Sequence, residues 1–265
     1  MFLVLKYSNH LILLGVLSYY YPYLQSIATG QAINNKNETN YEKEQAFVSE
    51  IIDGDTIVVS GDKIGNDIHI RLLGINTPEK KMPYSDDATD FLKRTIENNN
   101  IELLRDYTDE DKYKRKLRYV FYENRFVNLE ILEQGLATSF MIDGLKNEDK
   151  LRKAETSARE NKIGMWEESF DECKDCIILE KIDCEKEYFI LKNSCDFSCN
   201  LTSWFVKDDA NHFFKLSILN AFESRTYNSD IDEMKKTKDV WNNEGDRFFM
   251  RDGEGRLVVF REVCG

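Results

Sequence analysis

The distribution of cysteine is the strongest constraint on how this chain of 265 residues can fold. All six cysteines lie in the C-terminal third, and they are Cys173, Cys176, Cys184, Cys195, Cys199 and Cys264. An even number of clustered cysteines predicts disulfides in an exported protein. The short spacings within 173–176 and 195–199 leave a zinc site as the alternative, and free thiols would be expected if the chain stays inside the cell. The chain therefore divides into a cysteine-free part, up to residue 172, and a C-terminal part whose fold disulfides can stabilise.

The N-terminus has the pattern of a targeting segment. Lys6 precedes an apolar run at residues 11–21, and small residues follow at the spacing that a signal peptidase prefers. This run is shorter than the roughly 20 residues of a membrane span. We therefore predict a signal peptide over residues 1–28, with an uncleaved anchor and a buried helix as alternatives, and a polar linker over 29–45. The protein is expected to be secreted, or anchored to the outer face of the membrane.

Residues 46–169 have the pattern of one folded domain. Short β-rich segments separated by Gly, Asp and Asn turns come first, and apolar residues at helical spacing predict helices at 86–98, 128–134 and 148–161. From residue 176 to 265 the pattern changes to many short strands with turn signals between them, which is typical of a β-sandwich. The chain is thus predicted to be mainly β, in two domains.

The negative net charge of the chain limits how it can bind a polyanion such as nucleic acid. The formal net charge is -12, and acidic surfaces repel nucleic acid. Residues 112–118 are a local exception because five of these seven side chains are Lys or Arg. Any contact with nucleic acid must depend on such local placement, so non-specific binding is expected to be weak.

Three short segments carry side chains suited to phosphodiester hydrolysis, at 52–56, 71–79 and 111–115. That reaction needs a hard cation, donors that match phosphate oxygens, and a base that orients water. Each segment alone is more often structural, because Asp-Gly-Asp is a frequent turn and Thr-Pro-Glu often begins a helix. Their combination is what favours a catalytic role.

The segments supply all three requirements. Oxygen ligands from Asp55, Asn76 and a backbone carbonyl suit calcium, which takes 6–8 of them. Arg71 and Arg115 can each hold a phosphate through two parallel hydrogen bonds, which lysine cannot do. Glu79 can align and deprotonate the attacking water.

Together these motifs resemble the staphylococcal nuclease (thermonuclease) family. They occur in the family's order and spacing between Phe47 and Glu168: Ile-Asp-Gly-Asp-Thr at 52–56, Arg-Leu-Leu-Gly-Ile-Asn-Thr-Pro-Glu at 71–79, Asp-Lys-Tyr-x-Arg at 111–115, Glu-Gln-Gly-Leu-Ala at 133–137, and Leu-Arg-Lys-Ala-Glu at 151–155 ahead of Trp166. The resemblance implies a five-stranded OB-fold barrel with three helices. It also implies calcium-dependent cleavage of DNA and RNA that leaves 3′-phosphates.

The resemblance further implies a role for individual residues. Asp55 and Asn76 correspond to calcium ligands, although the second is usually Asp, and Thr77 would bind the ion through its backbone carbonyl. Asp53 would support the metal from its outer shell. Because Asn76 carries no charge, we expect calcium to bind more weakly than it does with Asp.

The remaining motif positions are implied to contact the substrate. Arg71 and Arg115 match the two phosphate-binding arginines, and Glu79 matches the general base. Lys112 and Tyr113 match residues that contact the terminal phosphate of the substrate.

The C-terminal region resembles a lamin-tail domain. The resemblance rests on the segments 187–193, 200–208, 241–246 and 252–255, and it implies an immunoglobulin-like β-sandwich. No catalytic set is evident in this part, so it is expected to bind an envelope component or a polymer, or to position the nuclease.

We therefore interpret the chain as an exported calcium-dependent nuclease that is expected to be monomeric. One alternative is a nucleic-acid-binding or protein-binding module with little or no catalysis, and another is an envelope-associated adhesion protein. Retention of the charged set Asp55, Arg71, Glu79 and Arg115 argues against the first alternative, because drift would not preserve all four.

Overall fold

The computed structural model describes residues 42–142, 144–228 and 240–265. The predicted leader at 1–28 and most of the predicted linker at 29–45 lie outside these residues. Among the described helices, none is both long and apolar enough to cross a membrane.

Five strands close into a barrel. They are β1 (Glu44–Ile51), β2 (Thr56–Gly61), β3 (Gly65–Leu72), β5 (Asn100–Glu110) and β6 (Lys116–Tyr122), and they pair in the order β3-β2-β1-β5-β6. A parallel pairing of β3 with β6 closes the circle, and the short strand β7 (Arg125–Phe126) extends the sheet beside β6. Fully buried Val48, Ile57, Ile70 and Leu103 fill the interior. The expected five-stranded OB-type barrel is confirmed.

The barrel begins two residues before the predicted boundary at Ala46. Glu44 pairs with Leu103 of β5, and Gln45 pairs with Glu102 of the same strand. The last two residues of the predicted linker are therefore part of β1, because these backbone pairings extend the strand.

Among the described residues, three helices pack on the barrel, as expected. They are α1 (Ser85–Ile96), α2 (Val127–Glu133) and α3 (Glu148–Glu160), and a 3₁₀ turn (Gly164–Trp166) follows the third. Ala88, Leu92 and Ile96 are buried because they recur at four-residue spacing along one face of α1. Outside the barrel, β4 (Ile75–Asn76) pairs with β8 (Thr138–Ser139).

The described part of the C-terminal region contains two further sheets. One has three strands in the order β13-β10-β9, which are β9 (Ile177–Asp183), β10 (Tyr188–Asn193) and β13 (Ser224–Asn228). The other has four strands in the order β12-β11-β14-β15, which are β11 (Phe205–Lys207), β12 (Phe213–Lys215), β14 (Asp246–Arg251) and β15 (Leu257–Val263). Side chains of both sheets belong to one buried cluster, so the sheets form a sandwich. The strand β13 lies in the stretch 220–240, whose sequence pattern predicts neither a strand nor a helix.

Aromatic rings fill the centre of this sandwich. The ring of Phe189 is fully buried, and its centroid lies 5.0 Å from that of Phe214, 6.0 Å from Trp241 and 5.3 Å from Phe248. Edge-to-face contacts of this kind are worth roughly 0.5–1.5 kcal/mol each beyond the buried area. Trp241 therefore acts as a core residue, which matches its expected role.

The nuclease-like and C-terminal regions share a hydrophobic contact. Trp166, at the end of the first region, is 1% exposed and lies with Met165 in a cluster that includes Phe249 of β14. Its ring centroid is 6.0 Å from that of Phe249 and 5.9 Å from that of Phe260. The described residues of the nuclease-like and C-terminal regions accordingly belong to one compact unit.

All six cysteines are paired in disulfides, which join Cys173 to Cys199, Cys176 to Cys195, and Cys184 to Cys264. No free thiol remains to bind zinc. The first two pairs connect the start of the C-terminal region to the loop after β10, and the third connects the turn after β9 to the chain end.

We expect the purified oxidised protein to weigh six hydrogens less than its fully reduced form, because three disulfides form. Intact mass spectrometry with and without reductant measures this difference. Six titratable thiols in non-reducing buffer, or stoichiometric zinc, would contradict the pairing.

Candidate active site

The carboxylate of Asp55 is the centre of the candidate site. Its side chain follows the turn that Asp53 and Gly54 make, and the residue is 7% exposed. A Cβ at Gly54 would lie 2.6 Å from the Cβ of Ala88, so only glycine allows the turn to pack against α1. Asp55 Oδ2 accepts hydrogen bonds from both the backbone N–H and the Oγ1 hydroxyl of Thr77, each at 3.1 Å.

The pairing of β2 with β3 places Arg71 beside this carboxylate. Thr56 is directly opposite Arg71 in the antiparallel register. The guanidinium Nη2 of Arg71 lies 3.1 Å from Asp55 Oδ2 and donates to Asn76 Oδ1, also at 3.1 Å. One positive charge is therefore shared by an oxygen of Asp55 and an oxygen of Asn76.

The oxygen donors at this point suit calcium. Asp55 offers a carboxylate and Asn76 an amide oxygen, both of which already converge on the positive charge of Arg71. Burial and the neighbouring Asp55 raise the pKa of the Asp53 carboxyl, so a divalent cation would relieve repulsion between two acidic groups. Among the described residues, no three His, Cys, Asp or Glu side chains are grouped to hold a metal, so a metal here also depends on amide and carbonyl oxygens.

The second arginine approaches from the hairpin between β5 and β6. Arg115 Nη1 donates to Thr56 Oγ1 at 3.1 Å, and that hydroxyl donates to Asp55 Oδ1 at 3.0 Å. Asp111 orients Arg115 by accepting from its Nε at 2.8 Å and from its backbone N–H at 3.0 Å. Burial opposes the effect, but hydrogen bonds from Arg115 lower the pKa of Asp111. Both arginines therefore reach the pair formed by Thr56 and Asp55.

Lys112 and Tyr113 lie at the tip of the same hairpin. Tyr113 is 69% exposed, and the guanidinium carbon of Arg115 lies 5.6 Å from the centre of its ring. Lys112 Nζ lies 5.1 Å from that ring. The structure thus groups these side chains with Arg115 at the surface.

Glu79 lies three residues after Asn76, and its side chain is exposed. Its partner comes from the C-terminal region, because Asn211 Nδ2 donates to Glu79 Oε1 at 3.2 Å. Asn76 Nδ2 likewise donates to the backbone carbonyl of Asp209 at 3.2 Å. Sequence reasoning missed both contacts, which join residues more than 130 positions apart and leave no local pattern.

A buried arginine joins the two regions next to these contacts. Arg247 of β14 holds the carboxylate of Asp209, with its Nε 2.7 Å and 2.9 Å from the two oxygens. Its Nη1 donates to Glu155 Oε2 of α3 at 2.6 Å, and its Nη2 donates to the carbonyl of Ser139. Burial alone would lower the pKa of Arg247, but Glu155 and Asp209 raise it. This guanidinium therefore stays charged.

The comparisons with known proteins agree with this geometry. The family model described as staphylococcal nuclease homologue matches residues 69–168. The chain is 33% identical over 141 residues to a thermonuclease of Staphylococcus hyicus, covering 51% of this chain and 79% of that protein. It is 32% identical over 139 residues to a thermonuclease of Staphylococcus intermedius, covering 50% of this chain and 82% of that protein. It is 30% identical over 127 residues to an uncharacterized endonuclease of Haemophilus influenzae, covering 47% of this chain and 67% of that protein.

The fold and these similarities define a nuclease-type OB barrel. The chain belongs to the family of staphylococcal nuclease homologues. Membership in this family supports a nuclease function with nucleic acid as the substrate.

The loop that reaches the site contains a titratable contact. His212 Nδ1 lies 2.6 Å from Asp208 Oδ2, and this hydrogen bond raises the pKa of His212 while burial opposes it. A raised folded-state pKa stabilises the protein below the unfolded value of about 6.5, and that contribution is lost as the pH rises through the folded pKa.

We expect the His212 imidazole to titrate above the ordinary value, and Asp208→Asn to lower its pKa. NMR titration measures both, with His212→Gln assigning the resonance. An identical pKa in the parent and the Asp208→Asn protein would contradict the contact.

Proposed function

We propose that this protein is an exported, calcium-dependent nuclease that hydrolyses phosphodiester bonds of DNA or RNA. The observation that carries the proposal is the hydrogen-bonded set around Asp55, which Arg71 and Thr77 contact directly, while Asn76 joins through Arg71 and Arg115 joins through Thr56. Burying charges costs free energy even when they are paired, and such charged groups cluster at functional sites, so their convergence supports a reaction centre.

Asp55, Asn76 and the carbonyl of Thr77 would hold the calcium ion, with Asp53 close by. Bound calcium would offset the negative charge of the phosphate. The neutral Asn76 leaves one ligand charge fewer than Asp would supply, which favours a weak site that fills where calcium is abundant.

The two arginines bind the phosphate. Each guanidinium offers a planar fork of donors that matches two phosphate oxygens. Thr56 and Asp111 fix the orientation of Arg115, and Asp55 and Asn76 fix that of Arg71. A fixed orientation lowers the entropy that binding must remove.

Glu79 acts as the general base. Its carboxylate takes a proton from water as the water oxygen bonds to phosphorus, and the bond from phosphorus to the leaving oxygen breaks. The leaving oxygen takes a proton from solvent, and cleavage on the 5′-oxygen side leaves a 3′-phosphate. Lys112 and Tyr113, beside Arg115, contact the terminal phosphate of the substrate.

The C-terminal sandwich is proposed to be a lamin-tail-like domain that binds an envelope component or a polymer. This assignment is supported by the packing of a three-stranded sheet on a four-stranded sheet, and by the burial of Trp204 and Trp241 between them. Three disulfides support export, because such bonds persist in oxidising compartments.

Purified mature protein should cleave single-stranded DNA with calcium and lose this activity in chelator. Glu79→Gln should reduce the rate by roughly 10²–10⁴, the usual contribution of a positioned base, without changing the fold. Glu133→Gln, an exposed glutamate on α2, is the matched control and should retain the parent rate. A parent protein that binds DNA without cleaving it would favour the binding module. One that does neither would favour the adhesion protein.

Arg71→Lys and Arg115→Lys should each lose at least about tenfold in rate although the charge is kept, because the fork of donors is lost. Steady-state kinetics at saturating calcium measure the loss, and Arg94→Lys on α1 is the control. Normal turnover of either site variant would mean that paired donors are not required there.

A further inference from the structure

The hairpin loop at 208–212, between β11 and β12, contacts the nuclease-like region at two candidate site residues. Asp209 accepts from Asn76 through its backbone carbonyl, and Asn211 donates to Glu79 through its side chain. One proposed calcium ligand and the proposed base are therefore both bonded to the C-terminal region.

The 208–212 loop is held in a fixed conformation. The carboxylate of Asp208 accepts from the backbone N–H of His212 at 2.7 Å and also pairs with its ring. Asp209 is held by its carboxylate on Arg247, and its backbone N–H donates to Asp246 Oδ1 at 3.2 Å. Since Arg247 also bonds Glu155, the loop is tied to the nuclease-like region independently of its contacts with Asn76 and Glu79.

The partners of Asn76 determine which way its amide faces. Its Oδ1 accepts from Arg71 and its Nδ2 donates to the carbonyl of Asp209. Because a carbonyl can only accept, the amide nitrogen must face the loop and the oxygen must face the candidate metal ligands. An aspartate here would have no donor and would set a carboxylate oxygen against that carbonyl. The amide at position 76 is thus the side chain that the loop requires.

The partners of Asn211 act in the same way. Lys207 Nζ donates to Asn211 Oδ1 at 2.8 Å, and since lysine has no acceptor, the amide nitrogen is left to face Glu79. Asn211 has φ 63, in the left-handed region that asparagine tolerates better than most residues. Lys207 is 7% exposed, so this orientation is fixed by a buried donor.

We propose that the 208–212 loop is a positioning element of the nuclease site, with Asn211 orienting the Glu79 carboxylate and the Asp209 carbonyl orienting the Asn76 amide. This inference rests on the proposed function. It makes the C-terminal sandwich part of the catalytic unit, in which these two residues act through their partners.

The test replaces Asn211 by Asp in the full mature chain. Asn211→Asp keeps an acceptor for Lys207 and tolerates the left-handed backbone, but it removes the donor to Glu79. We expect kcat to fall on the order of tenfold, the value of about one hydrogen bond to a charged group. Because Asn211→Asp also sets a second carboxylate against Glu79, the KM for single-stranded DNA and the half-saturating calcium concentration are measured in Asn211→Gly, which lacks the donor without adding a charge, and they should not change there. Asn220→Asp is the matched control, because Asn220 also donates to a glutamate, Glu223, within the sandwich.

A double-mutant cycle separates positioning from general damage. Because Asn211 acts through Glu79, Asn211→Asp should cost less than about twofold when Glu79→Gln is already present. Equal kcat for Asn211→Asp and Asn220→Asp, or a full additive loss in the Glu79→Gln background, would overturn the proposal.

Should Asn211→Asp fold poorly by circular dichroism, Asn211→Gly takes its place, because glycine adopts the same φ freely and also lacks the donor. A kcat equal to that of the control variant, or a full additive loss in the Glu79→Gln background, would again overturn the proposal. A parent protein with no calcium-dependent cleavage would instead refute the proposed function itself.

Discussion

Closure of the barrel by β3 and β6 is the constraint on which the candidate site depends. Arg71 lies opposite Thr56 on one side and Leu117 on the other. The strand β3, which carries Arg71, is thus fixed between β2 and β6. The strand β2 begins directly after Asp55, and β6 begins directly after Arg115. Three segments spread over about 60 residues meet because a sheet without free edges must bring its first and last strands together.

The second constraint is the buried guanidinium of Arg247. It lies between Glu155 of α3 and Asp209 of the 208–212 loop, and it forms ion pairs with both carboxylates. Removing one partner of a buried ion pair typically costs 3–5 kcal/mol. Ser139 connects this set to the site, since it accepts from Arg247 and its strand β8 pairs with Asn76. The orientation of the sandwich and the position of β4 are therefore coupled.

Much of the barrel could be predicted from the sequence because its signals are local. Helices α1, α2 and α3 lie within two residues of their predicted bounds, since turn residues and helical spacing mark their ends. The motif residues were also predicted as a set, because each motif occupies a few consecutive positions. The strand β13 was missed, since its polar sequence Ser-Arg-Thr-Tyr-Asn has little alternation and depends on pairing with β10.

The contacts of the 208–212 loop with the candidate site could not be predicted, because they join residues that are far apart in the sequence. Asp209 acts through a backbone carbonyl, which every residue has, and Asn211 looks like an ordinary turn residue.

The neutral side chain at position 76 has a different meaning once this loop is considered. Viewed within the barrel alone, Asn76 would be a weakened ligand of the proposed calcium ion, because it lacks the charge that calcium prefers. Viewed with Asp209, it is the side chain that can offer an oxygen to the cation and a donor to the neighbouring region at once. The match to the family model ends at residue 168, before the loop begins. On similarity alone, the neutral side chain at position 76 would therefore be ascribed to drift. In our proposal, the neutral side chain at position 76 instead accompanies the docking of the sandwich, and residues of both regions build the site.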